Sequence, residues 1–347
     1  MKIANPSLLR AAMHAVLVAI LAASAAAQGG YHLLKKIPIA GDGGWDYVAA
    51  DSAARRLYVS HDTEIVALDL DSGSVVGQIS GGPDMHGAAF APEFGRGFIS
   101  VTNPGSVVIF DLKTLEKITE VRVGDDPNGI IYDPFTKRVF SADRGSKRIT
   151  AIDAKTGAIA GTIGDLGGRT EHLASDEAGH VFLNMQDRNT TLKLDARNLK
   201  VLETWPVPCD APSSMDMDRA HARIFVGCRG AGKLTVLDAT SGKAVYTHAI
   251  GGGVDAVEFD PKTGLIYAAT GADGALWIFK EKSADEYDLV ETVPTQPGAR
   301  TMAVDRKTGN VYVSAAGLGP RPAPTPENPR PRPPIIPGTF TVLVFGR

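Results

Sequence analysis

The chain repeats itself about every 42 residues, and a period of that length leaves few folds open. One marker is an aspartate followed seven residues later by an aromatic residue inside a short apolar run. It recurs at Asp51 and Tyr58, Asp133 and Phe140, Asp218 and Phe225, Asp260 and Tyr267, and Asp305 and Tyr312. Ala91 and Phe98 keep the spacing without the aspartate, and Asp176 and Phe182 are one residue closer. A second marker, an apolar run ending in aspartate, gives Asp69, Asp111, Asp153, Asp195 and Asp238 in the same period. Between the markers lie alternating, β-branched segments such as Arg56–Ser60 and Glu64–Leu68, separated by turns such as Asp153–Gly157.

Four short strands per unit make a propeller blade, and seven units close a ring. The expected fold is therefore an all-β, seven-bladed β-propeller filling residues 28–347 as one domain. The last unit, with strands near 299–305, 310–316 and 339–346, is one strand short. The strand-like segment Tyr31–Ile39 is otherwise unassigned. It is expected to become the outer strand of the last blade, which joins the two ends of the chain and removes a bare sheet edge.

Three segments carry a family resemblance: Gly97–Asn103, Val123–Ile131 and Ile152–Gly157. They resemble the YVTN-repeat (YncE-like) β-propellers, over roughly Tyr31 to Arg347. That resemblance implies the propeller shape and export from a bacterial cell. It implies no particular activity, because members are similar in shape rather than chemistry. Blades four and seven depart from the repeat.

Residues 1–27 read as a secretory signal peptide. Lys2 and Arg10 precede an apolar run from Ala11 to Ala23, and Ala25–Ala27 supply a small-residue cleavage pattern. The run is short for a membrane span. The mature chain is thus expected to be secreted or periplasmic, not membrane-spanning and monomeric. Losing the two basic residues takes the formal charge from −3 to −5, which disfavours nucleic acid as a partner. Export permits a disulfide between Cys209 and Cys228, the only cysteines; two separate thiols are the alternative.

The two ends of the ring differ. The Asp–Gly turns between strands one and two, and three and four, are repetitive and share one face. Their aspartates are expected to cap turns rather than catalyse. Loops on the opposite face vary, which is where a scaffold places a site. Five residues before each aromatic anchor or its equivalent, one register holds Asp46, His86, Asn128, Glu171, Ser213, Asp255 and Arg300, all polar. Two residues on, it holds Val48, Ala88, Ile130, Leu173, Met215, Val257 and Met302, all apolar and expected to be packed core. A polar ring at the mouth of the central channel is the expectation. His61, Arg144 and Arg229 from the loops between strands two and three join it, and Trp45 and His172 flank it. Trp45 either stacks a ligand or caps a blade interface. Arg300 is expected to bridge Asp46 and Asp255.

No cofactor is expected. The lesser reading is a divalent ion held by His61, His86 and His172 with Asp46, Glu171 and Asp255. His32, His180, His221 and His248 fall on outer or bottom elements and are expected to be solvated. The proline-rich insertion 319–337 is read either as a semi-rigid arm over the mouth, bringing Arg321, Arg330 and Arg332 to an acidic ligand, or as a structureless loop. The first functional reading is an exported, non-catalytic propeller binding a small ligand or an exported protein at the variable face. The alternative is a metal-assisted, lactonase-like hydrolase or lyase using the same residues. No nucleophile elbow, P-loop or dinucleotide fingerprint is present, and the three tryptophans do not recur once per blade as quinoprotein blades would require.

Overall fold

The computed structural model describes residues 29–347 except 231, 326, 327, 329 and 330. The signal-peptide segment 1–27 and Arg330 therefore lie outside the described residues. Seven four-stranded antiparallel sheets form a ring. The inner strands are Val48–Asp51, Met85–Ala91, Pro127–Asp133, Thr170–Ser175, Pro212–Asp218, Val254–Asp260 and Met302–Asp305, in blades one to seven. Each inner strand contacts the next, and the last contacts the first. The strand His32–Pro38 pairs antiparallel with Thr341–Gly346, so the N-terminal segment completes blade seven as expected. Among the described residues no helix is long and apolar enough to cross a membrane.

The core is divided. Seven apolar clusters each join residues of two adjacent blades, and the seam between blades seven and one is filled like the others. The recurring aromatic anchors Tyr58, Phe98, Phe140, Phe182, Phe225, Tyr267 and Tyr312 are all buried there. Burying such a side chain contributes about 1.5–3 kcal/mol, so one aromatic per blade explains why this position is the steadiest in the repeat. The aspartates ending the third strands cap turns. Asp69 Oδ1 accepts from the amides of Asp71 and Ser72, and Asp111, Asp153, Asp195 and Asp238 do the same in their blades. Those amide hydrogen bonds hold the carboxyls of Asp69, Asp111, Asp153 and Asp195 below their ordinary range.

Every outer strand carries a register break against its neighbour. A bulge on an exposed edge twists it away from edge-to-edge pairing with another chain.

Cys209, in the loop from blade four to blade five, is bonded to Cys228 at the end of the second strand of blade five, with Cα atoms 6.0 Å apart. The bridge ties a blade-linking loop to the sheet it introduces. Closing a loop of this length is worth about 3 kcal/mol by chain entropy. The Cys209→Ser, Cys228→Ser variant is expected to lose about that much stability in urea unfolding. The wild type should fall to the same value under reductant, and the variant should not respond to it.

Candidate functional site

The inner strands begin at the variable face with a register break in blades two to six. The break falls at His86, Asn128, Glu171, Ser213 and Asp255, the members of the polar register. A bulge re-aims the side chain that it carries, and here it turns four of these five into the channel mouth. Asp46 and Arg300 reach the same level from the segments just before their strands. A methyl group on Gly129, beside Asn128, would collide with the main-chain oxygen of Glu171 in the next blade, so the glycine lets the two strands approach.

Nine of the eleven candidate residues line one cavity of about 290 Å³: Trp45, Asp46, His86, Asn128, Arg144, Glu171, Arg229, Asp255 and Arg300. Two do not. His61 is buried against Phe340, with ring centroids 4.6 Å apart, behind the mouth rather than in it. His172 follows Glu171 on its strand and points the other way, packing on Tyr47 at 5.5 Å. Ser213 also leaves the ring: its hydroxyl donates to the carbonyls of Val254 and Gly227.

The expected metal set of three histidines and three carboxylates does not converge. The ring nitrogens of His61 and His172 face other surroundings, and His86 is engaged by Asp46. The apolar register packs as expected, with Ala88 alone only half-buried. Val48, Ala88, Ile130, Leu173, Met215, Val257 and Met302 pack into the blade seams and, with their inner edges, line a second cavity of about 500 Å³ below the first. Tyr47 borders both cavities. The sequence reading missed Tyr47, Asp126 and Arg169 at the mouth, and Asp216, Glu258 and Arg306 in the lower cavity; Arg332 lines the mouth as the arm reading expected. Widening each ring position by one or two residues along the chain would have found Tyr47 and Arg169, which lie beside Asp46 and Glu171.

Electrostatics divides the mouth in two. On one side His86 Nδ1 bonds Asp46 Oδ2, and His86 Nε2 lies 2.8 Å from Thr102 Oγ1. Thr102 donates to Asp126, which Arg144 holds with a bidentate pair at 2.7 and 3.0 Å. Burial alone would push the Asp46 carboxyl up, but the bond and charge of His86 outweigh it and hold it below its ordinary range. Glu171 has no comparable partner; Arg169 is 3.4 Å away and Arg144 3.9 Å. Burial, with Asp255 and Asp46 nearby, pushes its carboxyl up to about 7 against the pull of Arg144.

On the other side Asp255 bridges Arg300 (3.1 Å) and Arg229 (3.2 Å). Arg300 also donates to the Trp45 carbonyl at 2.9 Å and lies 5.2 Å over the Trp45 ring. No direct Arg300–Asp46 bridge forms among the described residues. Trp45 is buried and stacks on Phe340 at 5.7 Å, so it caps the seam between blades seven and one and shows only an edge to the cavity.

The proline-rich insertion folds back on itself. Leu318 and Ile335 form a bridge, Gly319 N donates to Pro334 O, Ile336 N donates to Gly317 O, and Arg321 donates to Pro331 O. Leu318 and Ile335 pack on the blade seven–one core. The arm thus borders a groove of about 570 Å³ that adjoins the mouth. Arg229, Arg300, Arg321 and Arg332 line it, with Trp45, Leu318 and Ile335. No aspartate or glutamate is among the described residues lining it.

The fold and this mouth define a seven-bladed β-propeller with WD40-like structural neighbours. A chain of the mitotic checkpoint complex matches with a TM-score of 0.71 at 14% identity, over 83% of this chain and 90% of its own. U3-55K gives 0.75 at 9% identity, over 90% and 98%, and the RRP9 WD40 repeats give 0.73 at 8%, over 90% and 97%. No protein-family model and no curated protein sequence matches the chain. At these identities the likeness is one of fold alone.

Proposed function

We propose that this chain is an exported propeller of the YVTN-repeat type that binds a small anionic ligand at its channel mouth and does no chemistry on it. One observation carries the reading: four arginines, served by the single carboxylate of Asp255, line a groove that has no acidic residue among its described lining residues, beside an apolar floor. Arg229 and Arg300 share the one carboxylate of Asp255 and Arg321 meets only a main-chain carbonyl, so positive charge is in excess here and favours a carboxylate or phosphate, which guanidinium groups can hold in bidentate fashion. Leu318, Ile335 and the Trp45 edge suit an apolar body attached to that anion. Variable loops around one opening suit recognition.

The test is a thermal-shift and calorimetric screen of carboxylates and phosphates, each paired with its neutral amide or ester. Anions are expected to bind and their neutral partners not to. Arg321→Ala with Arg332→Ala should weaken binding by ~10-fold or more for each charge-assisted bond lost. Equal binding of the neutral partners, or unchanged affinity in the double variant, would sink the reading. The hydrolase or lyase alternative has one observation in its favour, the Glu171 carboxyl poised at about 7 where a general acid or base works. Turnover of a bound ester or lactone, lost in Glu171→Gln, would replace the binding function with that one.

A further inference from the structure

At the repetitive face, blade five breaks a turn rule that three other blades keep. In blades three, six and seven the aspartate ending the inner strand accepts from a threonine three residues on. Thr136 donates to Asp133 at 2.5 Å, Thr263 to Asp260 at 2.6 Å and Thr308 to Asp305 at 2.7 Å. In blade five that position is His221, whose Nδ1 bonds Asp218 Oδ2. In two of these three blades the next blade supplies a second donor: Ser175 reaches Asp133 at 2.6 Å, and Arg55 reaches Asp305 at 2.7 Å. Facing Asp218 there is instead Glu281, from the third strand of blade six. An acceptor meets an acceptor, so a proton or a cation has to lie between them.

Both carboxylates are buried, each with a side chain only 4% exposed, and His221 is 52% exposed. His221 Nδ1 is 3.8 Å from Glu281 Oε1, and one ligand atom from each of the three residues lies within 4.8 Å of the others. Tyr287 is the other group on Glu281, its hydroxyl 3.4 Å from Oε1. The neighbouring Arg223 is spent on Asp238, Asp285 and main-chain carbonyls. Burial and the adjacent Asp218 push the Glu281 carboxyl up to about 7, as expected for a negative pair short of positive charge.

We propose that Asp218, His221 and Glu281 form a divalent transition-metal site that clamps blade five to blade six, with Zn²⁺ as its representative ion. One imidazole nitrogen and two carboxylate oxygens are a borderline donor set, which suits Zn²⁺ better than Mg²⁺ or Ca²⁺. The exposed imidazole gives the ion a way in and leaves a coordination position open to water. The short His221–Asp218 bond opens as the ion replaces the shared proton, a movement that a surface turn permits. The site is separate from the channel mouth and from the metal set expected there.

The experiment is a calorimetric titration of the EDTA-stripped, untagged protein with ZnCl2, together with melting curves. One Zn²⁺ per chain and a raised melting temperature are expected. His221→Ala and Glu281→Gln should each weaken Zn²⁺ binding by about 100-fold, and both variants should still melt cooperatively without metal. His180→Ala removes a histidine that pairs with Asp176 at 2.6 Å in blade four without a third ligand; it should bind Zn²⁺ like the wild type. The proposal is overturned if no stoichiometric Zn²⁺ is taken up, or if His221→Ala binds it undiminished. In the first case the two carboxylates share a proton instead.

Discussion

A chain beginning at Ala40 should lose about 6 kcal/mol of stability relative to one beginning at Gly29, although it lacks only the segment that ends in Ile39. That segment buries Tyr31, Ile37 and Ile39, each worth about 1.5–3 kcal/mol. Its strand covers the whole length of Thr341–Gly346, whose hydrogen-bonding groups would otherwise form a bare edge. Tyr31 also reaches into blade six, through a 2.7 Å hydroxyl contact with Tyr267 and an amide bond to Glu291. A propeller has no redundant seam, so loosening the closing blade loosens the ring. Total stability of a domain is only about 5–15 kcal/mol, and the truncated protein should unfold at markedly lower urea or fail to stay soluble. A synthetic peptide of residues 29–39 added in trans should restore much of the loss, because strand addition to an open edge needs no other contact. An unchanged urea midpoint would mean that the closing strand His32–Pro38 adds no stability.

The blade count and the closure were legible because the information for a blade is local. Strands pair with their sequence neighbours, and the aromatic anchor, the turn aspartate and the alternation recur within one unit. Closure could be inferred from one missing strand and one spare segment. The mouth was legible only as a register. That His86, Asn128, Glu171 and Asp255 are polar at one level is written in the repeat, but the bulges that turn them inward are backbone geometry with no residue signature of their own. His61 shows the limit plainly. Its loop placed it on the correct face, but Phe340, 279 residues further along the chain, draws the ring away from the cavity. Arg332 is the reverse case, a residue in a proline-rich stretch that lands in the mouth because Leu318 and Ile335 pin the arm. Glu281 opposite Asp218 was hidden for the same reason: the repeat predicts what each blade does, not which side chain crosses the seam.

Stability should rise by several kcal/mol as pH falls from 8 to 5.5, opposite to the behaviour of a protein dominated by exposed salt bridges. Two carboxyls in the channel lead this, and Glu281 at the blade five–six seam, pushed up to about 7 by burial and Asp218, adds to it when metal is removed. Glu258 in the lower cavity is pushed up to about 8, by burial first and by Asp216, against the opposing charge of Arg306. Glu171 is pushed up to about 7 by burial and its acidic neighbours. Unfolded, both titrate near 4.5. Across the interval between the two values the folded state holds a proton that the unfolded state has lost, so the stabilisation is complete below about 4.5 and is lost as pH rises through 7 and 8. Each proton so held is worth ~1.4 kcal/mol per pH step. His172 opposes them. Burial lowers its ring to about 4 from 6.5, so below 6.5 the unfolded state takes a proton that the folded state refuses, and part of the gain is cancelled. Urea midpoints across this range, measured in EDTA, test the balance. Glu258→Gln should flatten the slope by about one proton's worth and leave the protein more stable than the wild type at pH 8 relative to pH 5.5. His172→Phe should steepen the rise below pH 6.5. A wild-type midpoint that is flat or falls from pH 8 to 5.5 would mean that these carboxyls stay ionised in the ring, and that water or a counter-ion reaches them through the channel.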